Sequence, residues 1–256
     1  LRLPFVVSVP HCSYQVPEEM IPSIALSERE ILESSDIGTR EVFAHLPVRM
    51  TLWSRWNPIV ADLNRDYRER GPEGAIPQVD RWGRRIYKPN CLPTGDEVEE
   101  RLKRYYWPYH DRLSEAVHDP HTEILFDCHS LARLRPPGAS DILKWRRDFV
   151  LGNNGDQHGE IDSSRHDITC PPEMIRMIKK LLEEGGFSVS INRPYSCGFI
   201  TRHYGRELIR RGKAAVQVQI NQALYLDEKT LHVHWIKLST IAVALERLFR
   251  EVARRI

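Results

Sequence analysis

The chain has 256 residues, with 37 basic and 35 acidic side chains and a formal charge of +2. That balance is too even to make a nucleic acid or an anionic membrane the expected partner. The length fits one α/β domain over 1–256, which buries roughly 70–75% of its unfolded surface and folds without disulfides or a structural metal. Phe5-Val6-Val7-Ser8-Val9 reads as a buried strand ended by Pro10, with His11 in the loop at its carboxyl end. Ser34-Ser35-Asp36 then starts a helix over Ile37 to Leu46, and Val48 to Trp53 and Ile59 to Leu63 read as further strands. Asn64-Arg65-Asp66 closes the second of these.

Residues 68–95 are punctuated by Gly and Pro and are expected to form an ordered excursion or lid. Glu97 to Val117 has helical spacing with a bend at Pro108, and Glu123 to Phe126 is a strand delivering Asp127-Cys128-His129-Ser130. Phe149 to Gly152, Phe187 to Ile191 and Ala214 to Ile220 are predicted strands; Pro171 to Glu184 and Ile236 to Arg255 are predicted helices. This alternation predicts a three-layer α/β sandwich with a mixed central sheet and ligand sites beyond the strands' carboxyl ends. The basic clusters Arg81 to Arg85 and Arg206 to Lys213 read as solvated faces.

Five cysteines, odd in number and without a CxxC pair, point to reduced thiols and a cytoplasmic setting. No apolar run approaches the roughly 18 residues a bilayer span requires, and Leu1 to Val9 lacks a signal-peptide pattern.

His11 and His129 both follow apolar strands, which would bring two imidazoles to one edge of the sheet. Two such histidines and a carboxylate are the usual protein ligands of a catalytic Zn2+ with one position left for water. Asp36 is the candidate carboxylate, against the plainer reading that it caps a helix. Asp62 or Asp127 could accept the second ring proton of a ligand histidine. Arg65, with Asn64 beside it, has the donors to grip a substrate carboxylate, against a plain ion pair with Asp66. Tyr195, in the turn-rich Asn192-Arg193-Pro194-Tyr195-Ser196-Cys197-Gly198 loop, could reach the same site.

Taken in order, Val9-Pro10-His11, Ser35-Asp36-Ile37-Gly38, Ser54-Arg55, Asp62-Leu63-Asn64-Arg65, Asp127-Cys128-His129-Ser130, Leu151-Gly152-Asn153, Asn192-Arg193-Pro194-Tyr195 and Gln217-Val218-Gln219-Ile220-Asn221 through Leu224-Tyr225-Leu226-Asp227 resemble the N-formylglutamate amidohydrolases nearly end to end. The resemblance implies a fold like the zinc carboxypeptidases and aspartoacylase, and one zinc held by His11, Asp36 and His129. It implies that Asn64 and Arg65 bind the substrate carboxylate, that Tyr195 lines the pocket, and that Arg202 makes a further substrate contact. The implied reaction is hydrolysis of a small N-acyl amino acid such as N-formyl-L-glutamate. Where relatives commonly read Gln-x-Glu, this chain reads Gln217-Val218-Gln219, so an amide stands at the position of the general base. Glu207 and Glu228 are considered as substitutes; the alternative is a zinc-containing binding protein for a small carboxylate.

Overall fold

The computed structural model describes residues 2–132, 146–165 and 167–256. Among these residues, six strands form one mixed sheet: β1 (Leu3–Val9), β2 (Val48–Trp53), β3 (Ile124–Leu131), β4 (Phe149–Gly152), β5 (Val189–Ile191) and β6 (Ala214–Asn221). Their order across the sheet is β2-β1-β3-β6-β4-β5. The first four run parallel, β4 is antiparallel to β6, and β5 is parallel to β4.

Side chains alternate across a strand, so β3 divides into two faces. Ile124, Phe126 and Cys128 join one apolar core with Phe5, Val7, Val216 and Val218. That core is covered by α2 (Thr39–Phe43), α5 (Pro172–Glu184) and α7 (Trp235–Arg255). Along α7, Leu238, Ile241, Leu245, Leu248, Phe249 and Val252 recur at helical spacing and are buried. Fully burying an aliphatic or aromatic side chain of this kind contributes about 1.5–3 kcal/mol before chain entropy is counted. The opposite face begins apolar, with Val6, Leu125 and Ala215 against α4 (Trp107–His118) and α6 (Phe199–Arg210). It turns polar toward the strands' carboxyl ends, where Asp127 and His129 sit in register with Gln217 and Gln219.

Several predicted elements have different bounds. The strand expected at Glu123 to Phe126 continues to Leu131 because β3 pairs with β6 as far as Asn221, so Asp127 and His129 are themselves strand residues. Ile59 to Leu63 is not a strand: its apolar side chains are buried, but its backbone turns, with Val60 N–H donating to Asn57 O and Asp62 N–H to Ala75 O. The helix expected over Ile37 to Leu46 is shortened to α2, which starts at Gly38 in a left-handed conformation, φ +81°. The bend expected at Pro108 appears one turn earlier as a π-helical stretch, Leu102–Tyr106, between α3 (Gly95–Arg101) and α4. A proline cannot donate the backbone bond to the preceding turn, and a widened turn accommodates that loss. α6 was not predicted; its buried Ile200, Tyr204 and Leu208, four residues apart, carried the signal.

Candidate metal centre and substrate cavity

In this sheet β1 lies between β2 and β3, so the chain leaves β1 toward one side and later returns on the other. The carboxyl ends of β1 and β3 therefore flank a topological switch point, where open α/β sheets leave a crevice. His11 comes from the loop after β1 and His129 from the end of β3, with ring centroids 4.8 Å apart. Asp36 follows α1 (Glu28–Glu33), and its backbone N–H donates to His11 O at 2.8 Å, tying it to the first loop.

The Asp36 carboxylate is buried and points inward. Its Oδ2 lies 3.1 Å from His129 Nδ1 and 3.8 Å from His11 Nδ1, and its Oδ1 accepts a hydrogen bond from Arg81 at 2.9 Å. It is therefore not a helix-capping side chain. Arg81 is likewise no solvated cation, and Arg84 pairs with Asp80 and Glu33. Burial disfavours the charged form of Asp36, but His129, Arg81 and His11 outweigh it and hold the carboxyl at about 2. Burial likewise opposes the imidazolium of His129, and Asp127 and Asp36 overcome it, raising that group to about 10.

The far nitrogens of both histidines meet carboxylates. His11 Nε2 is 2.7 Å from Asp62 Oδ1, and His129 Nε2 is 3.3 Å from Asp127 Oδ1. Asp127 is also fixed by hydroxyl donors, Ser8 at 3.2 Å and Thr201 at 3.0 Å. Desolvation disfavours the charged form of the half-buried Asp62, but His11 beside it outweighs that and holds its carboxyl below the usual range. With far nitrogens held in this way, both Nδ1 atoms face Asp36. One ligand atom from each of His11, Asp36 and His129 lies within 4.8 Å of the others.

This set fits zinc. Tetrahedral bonds of about 2.0–2.1 Å need donors roughly 3.4 Å apart, which the two nitrogen-to-oxygen distances bracket, and imidazole with carboxylate suits that ion. Carboxylate partners behind the histidines are the usual means of fixing the tautomer that leaves a nitrogen free for a metal.

Around this cluster opens a cavity of about 570 Å³, lined by Asn64, Arg65, Tyr195, Arg202, Gln217 and Gln219 as well as the three clustered residues. The 68–95 excursion contributes Glu73, Pro77, Val79, Asp80, Arg81 and Gly83 to the same wall. Asn64 is locked: its Oδ1 accepts from Ile200 N–H at 2.8 Å, which turns its amide nitrogen toward His129 Nε2 at 3.0 Å. A side chain at position 198 would meet the Asn64 amide at 2.2 Å, which is why a glycine starts α6.

Arg65 is half-exposed and does not pair with Asp66, which takes Arg68 instead. Its contacts are loose, 3.7 Å to Asp62 and 4.0 Å to Glu73. Arg202 is exposed and, among the described residues, has no carboxylate partner. The Tyr195 hydroxyl accepts from Arg146 at 3.3 Å, a cavity residue that no sequence motif marked. Its loop is pinned because Asn192 and Asn153 exchange hydrogen bonds, and because Gly152 lets Ser196 O approach where a Cβ would sit 1.9 Å away.

On β6, Gln217 Oε1 accepts from Gly198 N–H, whereas the Gln219 amide has no hydrogen-bond partner among the described residues. Glu207 and Glu228 are not in the cavity: Glu207 pairs with His118 and Arg211, and Glu228 lines a separate cavity of about 430 Å³. Burial pushes the Cys12 and Cys197 thiols up to about 12, so neither supplies a thiolate nucleophile near neutral pH.

Two histidines and an aspartate gathered at the switch point of a mixed sheet, opening into an arginine-rimmed cavity, place this chain among the α/β proteins with a ligand cavity at the strands' carboxyl ends and a candidate metal cluster in its floor. The comparisons with known proteins narrow this class: residues 3–226 match the N-formylglutamate amidohydrolase family, and the chain belongs to it. It is 25% identical over 239 residues to the N-formylglutamate deformylase of Pseudomonas aeruginosa, covering 89% of this chain and 84% of that protein. The protein of the same name from Pseudomonas putida is 24% identical, covering 89% and 83%. The crystal structure of N-formylglutamate amidohydrolase from Ralstonia eutropha JMP134 superposes with a TM-score of 0.81 at 22% identity, covering 100% of this chain and 94% of that one. The Agrobacterium tumefaciens gene product Atu2144 gives 0.68 at 18% identity, covering 98% and 90%. Both share the fold.

Proposed function

We propose that this chain is a zinc-dependent amidohydrolase that cleaves N-formyl-L-glutamate, or a close N-acyl amino acid, to the free amino acid and the acid of its acyl group. The reading is carried by the convergence of His11 Nδ1, Asp36 Oδ2 and His129 Nδ1, each backed by a charged partner, in a member of this family. His11, Asp36 and His129 would hold the ion. When bound, zinc would polarise the scissile carbonyl and make water nucleophilic near neutral pH.

The protein's own part is orientation. Asp62 and Asp127 fix the two imidazoles, and Arg81 keeps Asp36 Oδ1 occupied so that Oδ2 faces the histidines. Arg65 and the Asn64 amide receive the substrate carboxylate, with Tyr195 and Arg202 on the rim. In this reading residues 1–256 act as one domain of zinc carboxypeptidase-like fold, with 68–95 closing the cavity. The working partner is a small molecule, and the five unpaired cysteines support a cytoplasmic setting. Among the described residues no helix is long and apolar enough to cross a membrane.

Gln219 favours a second reading, a zinc-containing binding protein for a small carboxylate, because a neutral amide cannot take the proton of attacking water. Formate release from N-formyl-L-glutamate by zinc-loaded protein, compared with His129→Ala, separates the two. Release in the wild type alone supports the hydrolase. Tight binding of the formyl amino acid without release overturns it in favour of the binding protein.

A further inference from the structure

Hydrolysis of an amide needs a group that accepts a proton from water and later gives one to the leaving nitrogen. The sheet face beside His129 offers two amides for this, Gln217 and Gln219, and neither can take a proton. The proton acceptor must then be sought on the other walls. Among the described residues the cavity is lined by the carboxylates of Asp36, Asp62, Glu73 and Asp80.

Three of these are committed. Asp36 spans His129 and Arg81. Asp62 Oδ1 holds His11 and also accepts from Asn64 N–H at 2.9 Å. Asp80 accepts from the Ser34 hydroxyl, from the backbone of Trp82 and Arg84, and from the Arg84 guanidinium. Glu73 differs: its side chain is 77% exposed, and its ion-pair partner, Arg65, stands 4.0 Å away.

The segment carrying Glu73 is nevertheless anchored beside the clustered residues. Asp62 N–H donates to Ala75 O at 2.8 Å, and Gly74 N–H donates to Gly71 O at 2.9 Å. A Cβ at position 74 would lie 2.1 Å from Glu69 O, so the turn closes tightly only with glycine there. Glu73 is thus an exposed, loosely paired carboxylate on a fixed turn, two residues from a backbone contact to the partner of His11. A substrate carboxylate bound at Arg65 would replace that 4.0 Å contact and leave Glu73 without it.

We propose that Glu73 is the proton acceptor of this site, doing from the excursion what the amide of Gln219 cannot do from the sheet. The inference rests on the hydrolase reading. In the step, a water proton passes to a Glu73 carboxylate oxygen as the water oxygen bonds to the formyl carbon. The carbon–nitrogen bond then breaks, and Glu73 returns the proton to the departing nitrogen, giving formate and glutamate.

The test compares wild type, Glu73→Gln and Glu73→Asp for kcat and KM on N-formyl-L-glutamate across pH, with metal content and calorimetric binding of glutamate. The exposed side chain makes E73Q a conservative change for folding. The expected result is a kcat lower by about 10²- to 10⁴-fold in E73Q. Zinc content stays at the wild-type value, glutamate binds at least as tightly because Arg65 loses its competitor, the low-pH limb of kcat disappears, and part of the rate returns in E73D. An E73Q enzyme with wild-type kcat, or one changed in KM alone, overturns the inference while leaving the hydrolase reading intact. Wild-type protein that releases no formate brings down that reading and the inference together.

Discussion

The floor of the cavity and its rim are built on different principles. On the floor, His11, Asp36 and His129 are each held by at least two partners, and Asp36, Asp127 and His129 are almost wholly buried. On the rim, Arg65 and Glu73 meet at the edge of ion-pair distance, and Arg202 has no carboxylate partner among the described residues. A metal ligand set gains from being fixed before the ion arrives, because each ligand must present one atom in one direction. A rim that exchanges its own weak pairs for a substrate carboxylate gains from being loosely held, since exposed ion pairs are worth only about 0–1 kcal/mol.

The contrast predicts that substitutions on the floor act on stability and metal, and those on the rim on substrate alone. Asp36→Ala should have the largest effect. It leaves Arg81 and His129 without their shared buried carboxylate, destabilising the metal-free protein by about 3–5 kcal/mol in urea unfolding and abolishing zinc retention. A loss below 1 kcal/mol would show the floor to be no tighter than the rim.

Beneath the floor, His110 stacks on Tyr106 and contacts Leu63 O at 3.0 Å, propping the Asp62 to Asn64 segment. Burial, partly offset by the Leu63 carbonyl, depresses His110 from 6.5 to about 4. The unfolded chain therefore takes up this proton first. The contribution of His110 to stability should be full above about pH 6.5 and fall by about 3 kcal/mol as pH drops to 4. Urea midpoints at the two pH values should converge in His110→Asn relative to wild type; an unchanged slope would remove His110 from the account.

Asp62→Asn keeps the shape but loses the charge behind His11, and zinc affinity measured against a chelator should fall by about 10- to 100-fold. On the rim, Arg65→Lys keeps the charge but loses the fork, and should raise KM by about tenfold with kcat and melting temperature unchanged. A large change in melting temperature would erase the distinction.

How far the sequence could be read follows the same division. The strand-end positions of His11 and His129 were legible because short apolar runs ending in polar residues mark the carboxyl ends of buried strands. The mixed sheet and its helical layers followed from the alternation of elements. Asp36 could not be told from a helix cap, since its decisive partner, Arg81, lies 45 residues away and looked like part of a surface charge cluster. Ile59 to Leu63 looked like a strand because burial without pairing leaves the same apolar pattern. Arg146, Glu73 and the Gly198 contact to Asn64 depend on how loops fold back over the sheet, which local spacing does not encode.

The central claim concerns a metal held at the end of β1 and β3, and zinc anomalous scattering from crystals of the zinc-loaded protein tests it most directly. The account predicts one strong peak per chain, about 2.0–2.2 Å from His11 Nδ1, His129 Nδ1 and an Asp36 carboxylate oxygen, and no such peak in His129→Ala crystals. A peak bound elsewhere, or no peak at this cluster in fully loaded protein, would contradict it.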